Sequence, residues 1–419
     1  MNTLYSRRPV LSRLISSRLI SSSLLAAGSA LGLALLAAPF AASADDLPAR
    51  IRIGELMSIS GAAASASGGL HTAVRLAVKE INEKGGIAGH QIDLIQGDDG
   101  SDPTQAVNEA RRLITREKVN VMFGPVITTN VLPVMPIYNE AKIASVINSG
   151  SSAFTPKIAP YGFSDYFSSD AYAKAMVDYV ADTLKAKRVG IIADNSAQSK
   201  GVVADYEKYI AARGLVLSGA AEHEFRATDV TPQLLDLKRG NPDALIQQTG
   251  TGEDGGLTFK TMDEMGWKIP VASSVAAVLA ANVLKTGGPD IFKSGRITGL
   301  TFKAFTYCPG DPMGKSDFAG FLARVKALDP GNYDKVNLYG MSFMYDGVYL
   351  MKAAIEATHS VDGPTIASWI EKNAASVHAV SGRFGASPTS HFLFGAESVF
   401  LVPRPDIRRE DGLMQRAGC

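Results

Sequence analysis

The chain has 419 residues, of which 46% are hydrophobic and 20% charged, and its formal net charge is +1 at pH 7. Because basic and acidic residues nearly balance and form no basic stripe, the composition argues against nucleic acid as a partner. A chain of this length usually forms two domains.

The first 44 residues have the organisation of a secretory signal peptide. Four arginines and no acid precede an uncharged stretch rich in leucine and alanine, and Ala42-Ser43-Ala44 forms an A-x-A cleavage site. A retained membrane anchor is the alternative, because the run from Leu19 to Ala44 is long enough to span a bilayer, but Ser, Gly and Pro interrupt it. We expect cleavage after Ala44, which leaves 375 of the 419 residues with 38 basic and 41 acidic side chains. No cysteine immediately follows the apolar stretch, so we expect a soluble exported product without a lipid anchor.

Strand and helix patterns alternate from Arg50 onward. Apolar runs predict strands at 51–57, 92–94, 119–123, 144–147, 188–192, from Val216, 243–247 and 269–272, and a strand pair at 383–402. Helical periodicity and capping residues predict helices at 71–84, from Asp102, 201–213, from Thr231, 256–265, 316–328, 341–357 and after Asp362. Repeated strand-helix-strand units predict parallel sheets flanked by helices, and the break around 164–171 predicts two α/β lobes.

Several motifs suggest other chemistries that their spacing does not support. The loop 250–255 matches G-x-G-x-x-G, but no acid follows about 20 residues later to bind a ribose. Asp98, Asp99 and Asp102 lack the spacing of a calcium loop, and no two histidines lie three to five residues apart. No G-x-S-x-G nucleophile motif occurs. The sequence therefore predicts no catalytic site, metal site or cofactor.

Glycine and small hydroxyl residues recur where predicted strands end. They occupy 58–61, 124–129, 148–152, 249–252 and 273–274. In open α/β sheets, ligands bind beyond the carboxyl ends of the strands, where helix N-termini favour anions. The alternative is that these residues only cap helices. Five such loops spread over two lobes favour a cleft. In the segment FGPVITTN, at 123–130, Thr128 and Thr129 stand where a helix should begin, and this segment would hold a carboxylate on the helix N-terminus.

Several of these stretches resemble one known family. Ile51-Arg52-Ile53-Gly54, the run from Ala77 to Gly89, the run from Asp98 to Ala106, and Phe123-Gly124-Pro125 are similar to periplasmic leucine/isoleucine/valine-binding proteins, the type I substrate receptors of ABC importers. The resemblance implies an α/β fold with two lobes, each a parallel sheet flanked by helices, joined by three hinge strands. It implies discontinuous lobes, one from 45–168 plus about 298–382 and the other from 169–297 plus about 383–419.

The same resemblance implies a non-enzymatic periplasmic receptor that binds a small carboxylate and delivers it, as a monomer, to a membrane ABC permease. Thr128 stands where the family receives the ligand α-carboxylate, and Gly150 and Ser152 stand in the loop that helps to fix the amino and carboxylate groups. Asp170 matches the acid at the first hinge crossing. The residues expected at the ligand are Thr128, Thr129, Ser149, Gly150, Ser151, Ser152, Asp170, Gln198, Thr251, Glu253 and Ser273.

The sequence departs from the family pattern at three places in the expected site. Val275 stands where an acid often pairs with the ligand ammonium, Ala64 to Ser67 replace an aromatic residue, and Gln198 lies near the place of a tyrosine. A buried ammonium without an acid is costly. The ligand is therefore either a carboxylate without an α-amino group, or an amino acid whose ammonium is met by Asp170 or Glu253.

Two further questions stay open at the level of sequence. Cys308 and Cys419 either form a disulfide in an oxidising compartment or remain as two thiols. A signalling receptor that presents its ligand to a membrane sensor is an alternative function with the same fold. A hydrolase or transferase on an α/β scaffold is a third hypothesis, which the missing nucleophile motif and metal spacing disfavour.

Overall fold

A computed structural model describes residues 47–276, 282–331, 340–417 and 419. The predicted signal peptide lies outside these residues. Within them, no helix is long and apolar enough to cross a membrane.

The first sheet, called sheet 1, is parallel throughout and has the strand order β2-β1-β3-β4-β5. Its strands are β1 (Ile51–Met57), β2 (Ile92–Asp98), β3 (Val121–Phe123), β4 (Ala144–Ile147) and β5 (Gly162–Ser164). Strands β1, β3, β4 and β5 are almost fully buried, as near-continuous hydrophobic runs predict for a parallel sheet, whereas the edge strand β2 is partly exposed. The sequence predicted the first four strands and missed β5, whose three residues are too few to show a period.

Sheet 1 is flanked by helices α1 (Ala64–Glu83), α2 (Pro103–Thr115) and α3 (Thr128–Glu140). Helix α4 (Ser169–Asp178) follows β5 but packs against the helix at Ala197–Ala212 and the strand at Val399–Val402, which belong to the second sheet. Helix α1 begins seven residues before the predicted position at His71. The predicted cap of α2 is confirmed, since the Asp102 carboxylate accepts the N–H of Gln105 at 2.8 Å. The Gln105 side chain, however, donates to the Asp98 carbonyl rather than back to Asp102.

The second sheet, called sheet 2, contains β6 (Arg188–Asp194), β7 (Val216–His223), β8 (Ala244–Gln248), β9 (Val271–Ser273), β10 (Ile297–Phe302) and β12 (Val399–Val402). Two further strands, β11 (Thr306–Tyr307) and β13 (Met414–Gln415), pair with each other outside sheet 2. Its order is β12-β10-β9-β8-β6-β7, parallel except for β12. Its helices are α5 (Ala197–Ala212), α6 (Thr231–Arg239), α7 (Gly252–Glu264) and α8 (Asn282–Gly287). Two helix-flanked parallel sheets confirm the predicted α/β fold.

The C-terminal third is divided between the two sheets. Helices α9 (Asp317–Leu328), α10 (Met341–Thr358) and α11 (Gly363–Asn373) lie on the side of sheet 1, where α9 and α10 pack against α1, and α11 packs against β4. Strand β12 then returns to sheet 2. The predicted strand pair over 383–402 is confirmed only in its second half, which is β12. The first half forms no strand of its own. It contacts β5 instead, where the N–H of Leu393 donates to the Ser164 carbonyl at 2.7 Å.

In the part of the chain that the structure describes, the backbone passes between the sheets three times. The passages follow β5, follow β10, and lie between Leu393 and β12. The exact limits of the two lobes stay a prediction, although β10 pairs with β9 in sheet 2 and so places the second passage after Phe302.

A disulfide joins Cys308 to Cys419, with their Cα atoms 5.4 Å apart. It ties the strand pair β11 and β13 to the end of the chain and answers the question that the sequence left open.

Two buried carboxyl groups lie beside the passages between the sheets. Asp346 accepts the N–H groups of Val380 and Ser381, each at 2.8 Å, and burial raises the pKa of its carboxyl to about 7. Asp165 accepts the side-chain amide of Asn148 at 2.7 Å, and burial raises its pKa well above the ordinary value. Each group therefore binds its proton more tightly in the folded protein than in the unfolded chain.

Candidate functional site

The turn between β3 and α3 begins at a glycine that no other residue could replace without strain. Gly124 has a φ of +90°, and a Cβ built on it would lie 1.8 Å from the Leu56 carbonyl oxygen. Helix α3 then starts at Thr128, as the sequence predicted, and no side chain caps it. Its first N–H groups therefore carry the partial positive charge that favours an anion.

Three predicted residues come together where β3 and β4 end. The hydroxyls of Thr128 and Ser149 lie 2.8 Å apart, and both side chains are buried. The Ser149 hydroxyl also accepts the N–H of Ser151 at 3.3 Å. The neighbouring Thr129 and Ser152 are exposed. The buried hydroxyls thus form a small polar cluster at the start of α3.

The loop after β4 contacts the side of sheet 2. A Cβ built on Gly201, in α5, would lie 3.8 Å from the Ser151 hydroxyl and 4.0 Å from the Ser152 hydroxyl. Gln198 lies one turn earlier on the same helix and is half-buried. The structure therefore brings the Ser151 loop and the first turns of α5 to one place, between the two sheets.

Gly150 and Ser169 connect this loop to the first passage between the sheets. The Gly150 carbonyl accepts the N–H of Ser169 at 2.7 Å, and a Cβ on Gly150 would lie 2.9 Å from the Tyr166 ring. The Ser169 hydroxyl donates to Asp205, on α5, at 2.6 Å. A single residue at the start of α4 thus bonds to the loop of sheet 1 and to a helix of sheet 2.

Asp170 lies next to this connection but faces another partner. Its carboxylate accepts from Lys208 Nζ at 2.6 Å and from the Tyr209 hydroxyl at 2.8 Å, and 48% of its side chain is exposed. Partial burial acts to raise its pKa, but these hydrogen bonds outweigh it and hold the pKa below the usual value. Asp170 is therefore ionised and engaged with α5.

The predicted residues of sheet 2 also have partners within the protein. Thr251 caps α7, accepting the Asp254 N–H at 3.2 Å. Glu253 accepts the side-chain amide of Asn282 at 2.7 Å, and the buried Ser273 donates to Gln247. These residues lie at the carboxyl ends of β8 and β9, as expected, and their hydrogen bonds described above go to neighbours in sheet 2 rather than to the cluster around Thr128.

Aromatic residues at the first passage, which the sequence reasoning missed, lie next to the candidate site. The rings of Tyr166 and Phe167 stack with centroids 4.4 Å apart, and Phe167 stacks on Tyr172 at 5.3 Å. The Tyr172 hydroxyl accepts the N–H of the buried Val275 at 3.1 Å. Three aromatic residues within seven positions, 166–172, were the available signal.

Among the described residues, no group of three or more His, Cys, Asp or Glu side chains could hold a metal ion. The acids at 98 and 99 instead organise the loops after β1 and β2. Asp98 accepts the N–H of Ile59 at 2.9 Å, and Asp99 accepts the Ser58 hydroxyl at 2.6 Å.

Comparison with known proteins agrees with this architecture. A Leu/Ile/Val-binding protein homolog of Brucella abortus is 27% identical over 248 residues, 56% of this chain and 61% of that protein. The chain thus matches about three fifths of the length of such curated relatives. A branched-chain amino acid transporter substrate-binding protein of Streptococcus pneumoniae, in complex with isoleucine, superposes with a TM-score of 0.73 at 20% identity, over 88% of this chain and 99% of that one. A solute-binding protein of an ABC transporter from Rhodopseudomonas palustris, in complex with p-hydroxybenzoic acid, gives 0.74 at 21% identity, over 88% and 95%.

The fold is that of the two-lobed type I periplasmic binding proteins. The sequence profile of the periplasmic binding protein family matches residues 50–400, and the chain belongs to that family. It is a family of binding proteins.

Proposed function

We propose that this protein is a periplasmic receptor that captures a small carboxylate between its two lobes and delivers it, as a monomer, to a membrane ABC permease. The observation that carries the proposal is the buried pair of Thr128 and Ser149 hydroxyls, 2.8 Å apart, at the uncapped start of α3. Export by the predicted signal peptide would place the receptor in the periplasm.

Hydroxyl groups and helix N–H groups can bind a carboxylate without a cationic side chain. Each hydrogen bond to a charged group contributes about 1.5–3 kcal/mol, and the partial charge of a helix N-terminus adds to it. Apolar and aromatic walls of the kind formed by Tyr166 and Phe167 would then select the rest of the ligand.

The two acids considered as partners for an ammonium, Asp170 and Glu253, favour a ligand without an α-amino group. Asp170 is engaged with Lys208 and Tyr209, and Glu253 with Asn282. Val275 offers no charge. A buried ammonium would have to compete with these partners, and displacement of Lys208 from Asp170 would leave a cation without its partner. Of the two neighbours with bound ligands, the complex with p-hydroxybenzoic acid is therefore a better guide to the ligand class of this protein than the complex with isoleucine.

A thermal-shift screen tests the proposal, because a ligand that binds only the folded state raises the melting temperature. The panel is leucine, isoleucine, valine, benzoate and 4-hydroxybenzoate, with the chain starting at Asp45. We expect stabilisation by the benzoates. Stabilisation by the amino acids alone would refute the amino-free ligand, and no response to any small carboxylate would refute the function.

The variant Thr128→Val tests the site itself, since it removes one hydroxyl and keeps the shape. We expect at least about a tenfold loss of affinity. Thr115→Val is the matched control, because the Thr115 hydroxyl bonds to the Arg111 carbonyl on an exposed part of α2. Equal affinity in the two variants would remove Thr128 from the site.

A further inference from the structure

Two buried serines have hydroxyl groups that nothing in the described protein satisfies. Ser67 lies in the first turn of α1 and Ser199 in the first turn of α5, with 1% and 0% of their surface exposed. Neither hydroxyl has a hydrogen-bond partner among the described residues. A buried hydroxyl without a partner destabilises the folded state, so such groups call for an explanation.

The two serines occupy corresponding positions in the two lobes. Four consecutive strands of sheet 1 have the order β2-β1-β3-β4, and those of sheet 2 have the order β7-β6-β8-β9. Helix α1 follows β1 and α5 follows β6, so each serine lies just beyond the first strand of its lobe. This is the edge of the sheet at which ligands bind in open α/β folds.

Both serines lie on the buried faces of their helices. Residues three and seven positions later share the same face of a helix; after Ser67 these are Leu70 and Val74, and after Ser199 they are Val202 and Tyr206, all buried. The Tyr206 hydroxyl donates to the side chain of Gln248, the last residue of β8. Ser199 lies about two turns closer to the start of the helix and therefore beyond the end of that strand.

We infer that Ser67 and Ser199 bind the ligand. From opposite lobes, their side chains form hydrogen bonds to a hydroxyl group that the ligand carries in addition to its carboxylate. The inference rests on the proposed function and specifies its substrate class as hydroxylated organic acids. A hydroxyl side chain can both donate and accept, which suits a ligand hydroxyl. A site that buries such groups discriminates strongly against an analogue without the hydroxyl, because the serines are then left unpaired.

Position distinguishes these serines from other unpartnered hydroxyls. Ser145 is also fully buried without a partner, but it lies within β4, away from the strand end. It therefore provides a control in which the same atom is removed from the same kind of surroundings without reaching the ligand.

The test compares Ser67→Ala, Ser199→Ala and Ser145→Ala by calorimetric titration with 4-hydroxybenzoate and benzoate, and by thermal unfolding without ligand. We expect both helix variants to lose at least about fivefold in affinity for 4-hydroxybenzoate and to bind benzoate as the wild type does. Their unliganded melting temperatures should stay unchanged or rise, since no internal hydrogen bond is lost. Ser145→Ala should keep wild-type affinity for both compounds.

A hydroxyl with a structural role would instead lower the melting temperature, and that result would overturn the inference. Unchanged affinity for 4-hydroxybenzoate in both helix variants would overturn it as well. A wild-type protein that binds leucine but neither aromatic acid overturns the inference and leaves a carboxylate receptor standing. A wild-type protein that binds no compound of the panel overturns both.

Discussion

Removal of the disulfide between Cys308 and Cys419 should lower stability by an amount that the closed loop predicts. The two cysteines are 111 positions apart, and a loop of that size reduces the entropy of the unfolded chain by about 16 cal/mol/K, or about 4.8 kcal/mol at 25 °C. The contacts that hold the C-terminus in the folded state, such as the β11 and β13 pairing, remain in the variant. The loss should therefore come from the unfolded state, with about 2 kcal/mol as its lower bound because unfolded chains are compact.

Urea unfolding of the double variant Cys308→Ser/Cys419→Ser measures this loss directly. For the roughly 375 residues that follow the predicted signal peptide, the same loss lowers the melting temperature by about 3–6 °C. Reductant should destabilise the wild type by a similar amount and leave the double variant unchanged. A loss below about 2 kcal/mol would refute the reasoning, and so would an effect of reductant on the variant.

Three other substitutions have expected outcomes. Gly201→Leu should weaken ligand binding at least about tenfold, because the leucine side chain would separate α5 from the Ser151 and Ser152 hydroxyls. Ala204→Leu, at an exposed position of the same helix, should leave the affinity unchanged. Equal affinities of the two variants in a ligand titration would contradict the prediction. Gly124→Ala should destabilise the fold by more than about 3 kcal/mol in urea unfolding, because the added Cβ would overlap the Leu56 carbonyl oxygen. Gly214 also has a positive φ but has open space around it. Gly214→Ala should therefore lower the free energy of unfolding by only about 1 kcal/mol. The folded-state pKa of Asp346 is raised to about 7, so its contribution to stability is complete below about pH 4 and is lost as the pH rises through 7. When unfolding is measured from pH 5 to 8, the wild type should lose stability relative to Asp346→Asn as the pH rises. A difference in the free energy of unfolding that stays constant over this range would contradict the raised pKa of Asp346.

The sequence was informative where the structure depends on neighbours along the chain. The start of α3 at Thr128 and the cap of α2 at Asp102 are confirmed, because a strand end, a proline and an N-cap residue act within a few positions. Strand β4 was predicted with its observed limits, since a short apolar run bounded by polar residues is a local signal.

Contacts between distant segments could not be predicted in the same way. The 2.8 Å contact between Thr128 and Ser149 spans 21 positions, and the partners of Asp170 lie 38 and 39 positions away on α5. Residue type alone does not indicate that Asp170 is engaged there. Likewise, the apolar residues near 392–394 suggested a strand, but the segment bonds to β5 in sheet 1, more than 220 positions earlier in the chain.

Ser169 has a kinetic consequence, because its N–H bonds to the Gly150 carbonyl and its hydroxyl to Asp205. The bond to Asp205 joins two helices that pack together, whereas the bond to Gly150 crosses between the sheets. Opening of the cleft would therefore break the bond to Gly150, which contributes to the barrier for opening. In the proposed receptor, the residence time of the ligand depends on that barrier, whereas the choice between ligands depends on the groups that touch them. Substitution of Ser169 should therefore change how quickly a solute is exchanged while the ranking of solutes stays the same. Uptake rate and selectivity could then diverge independently among relatives of this protein.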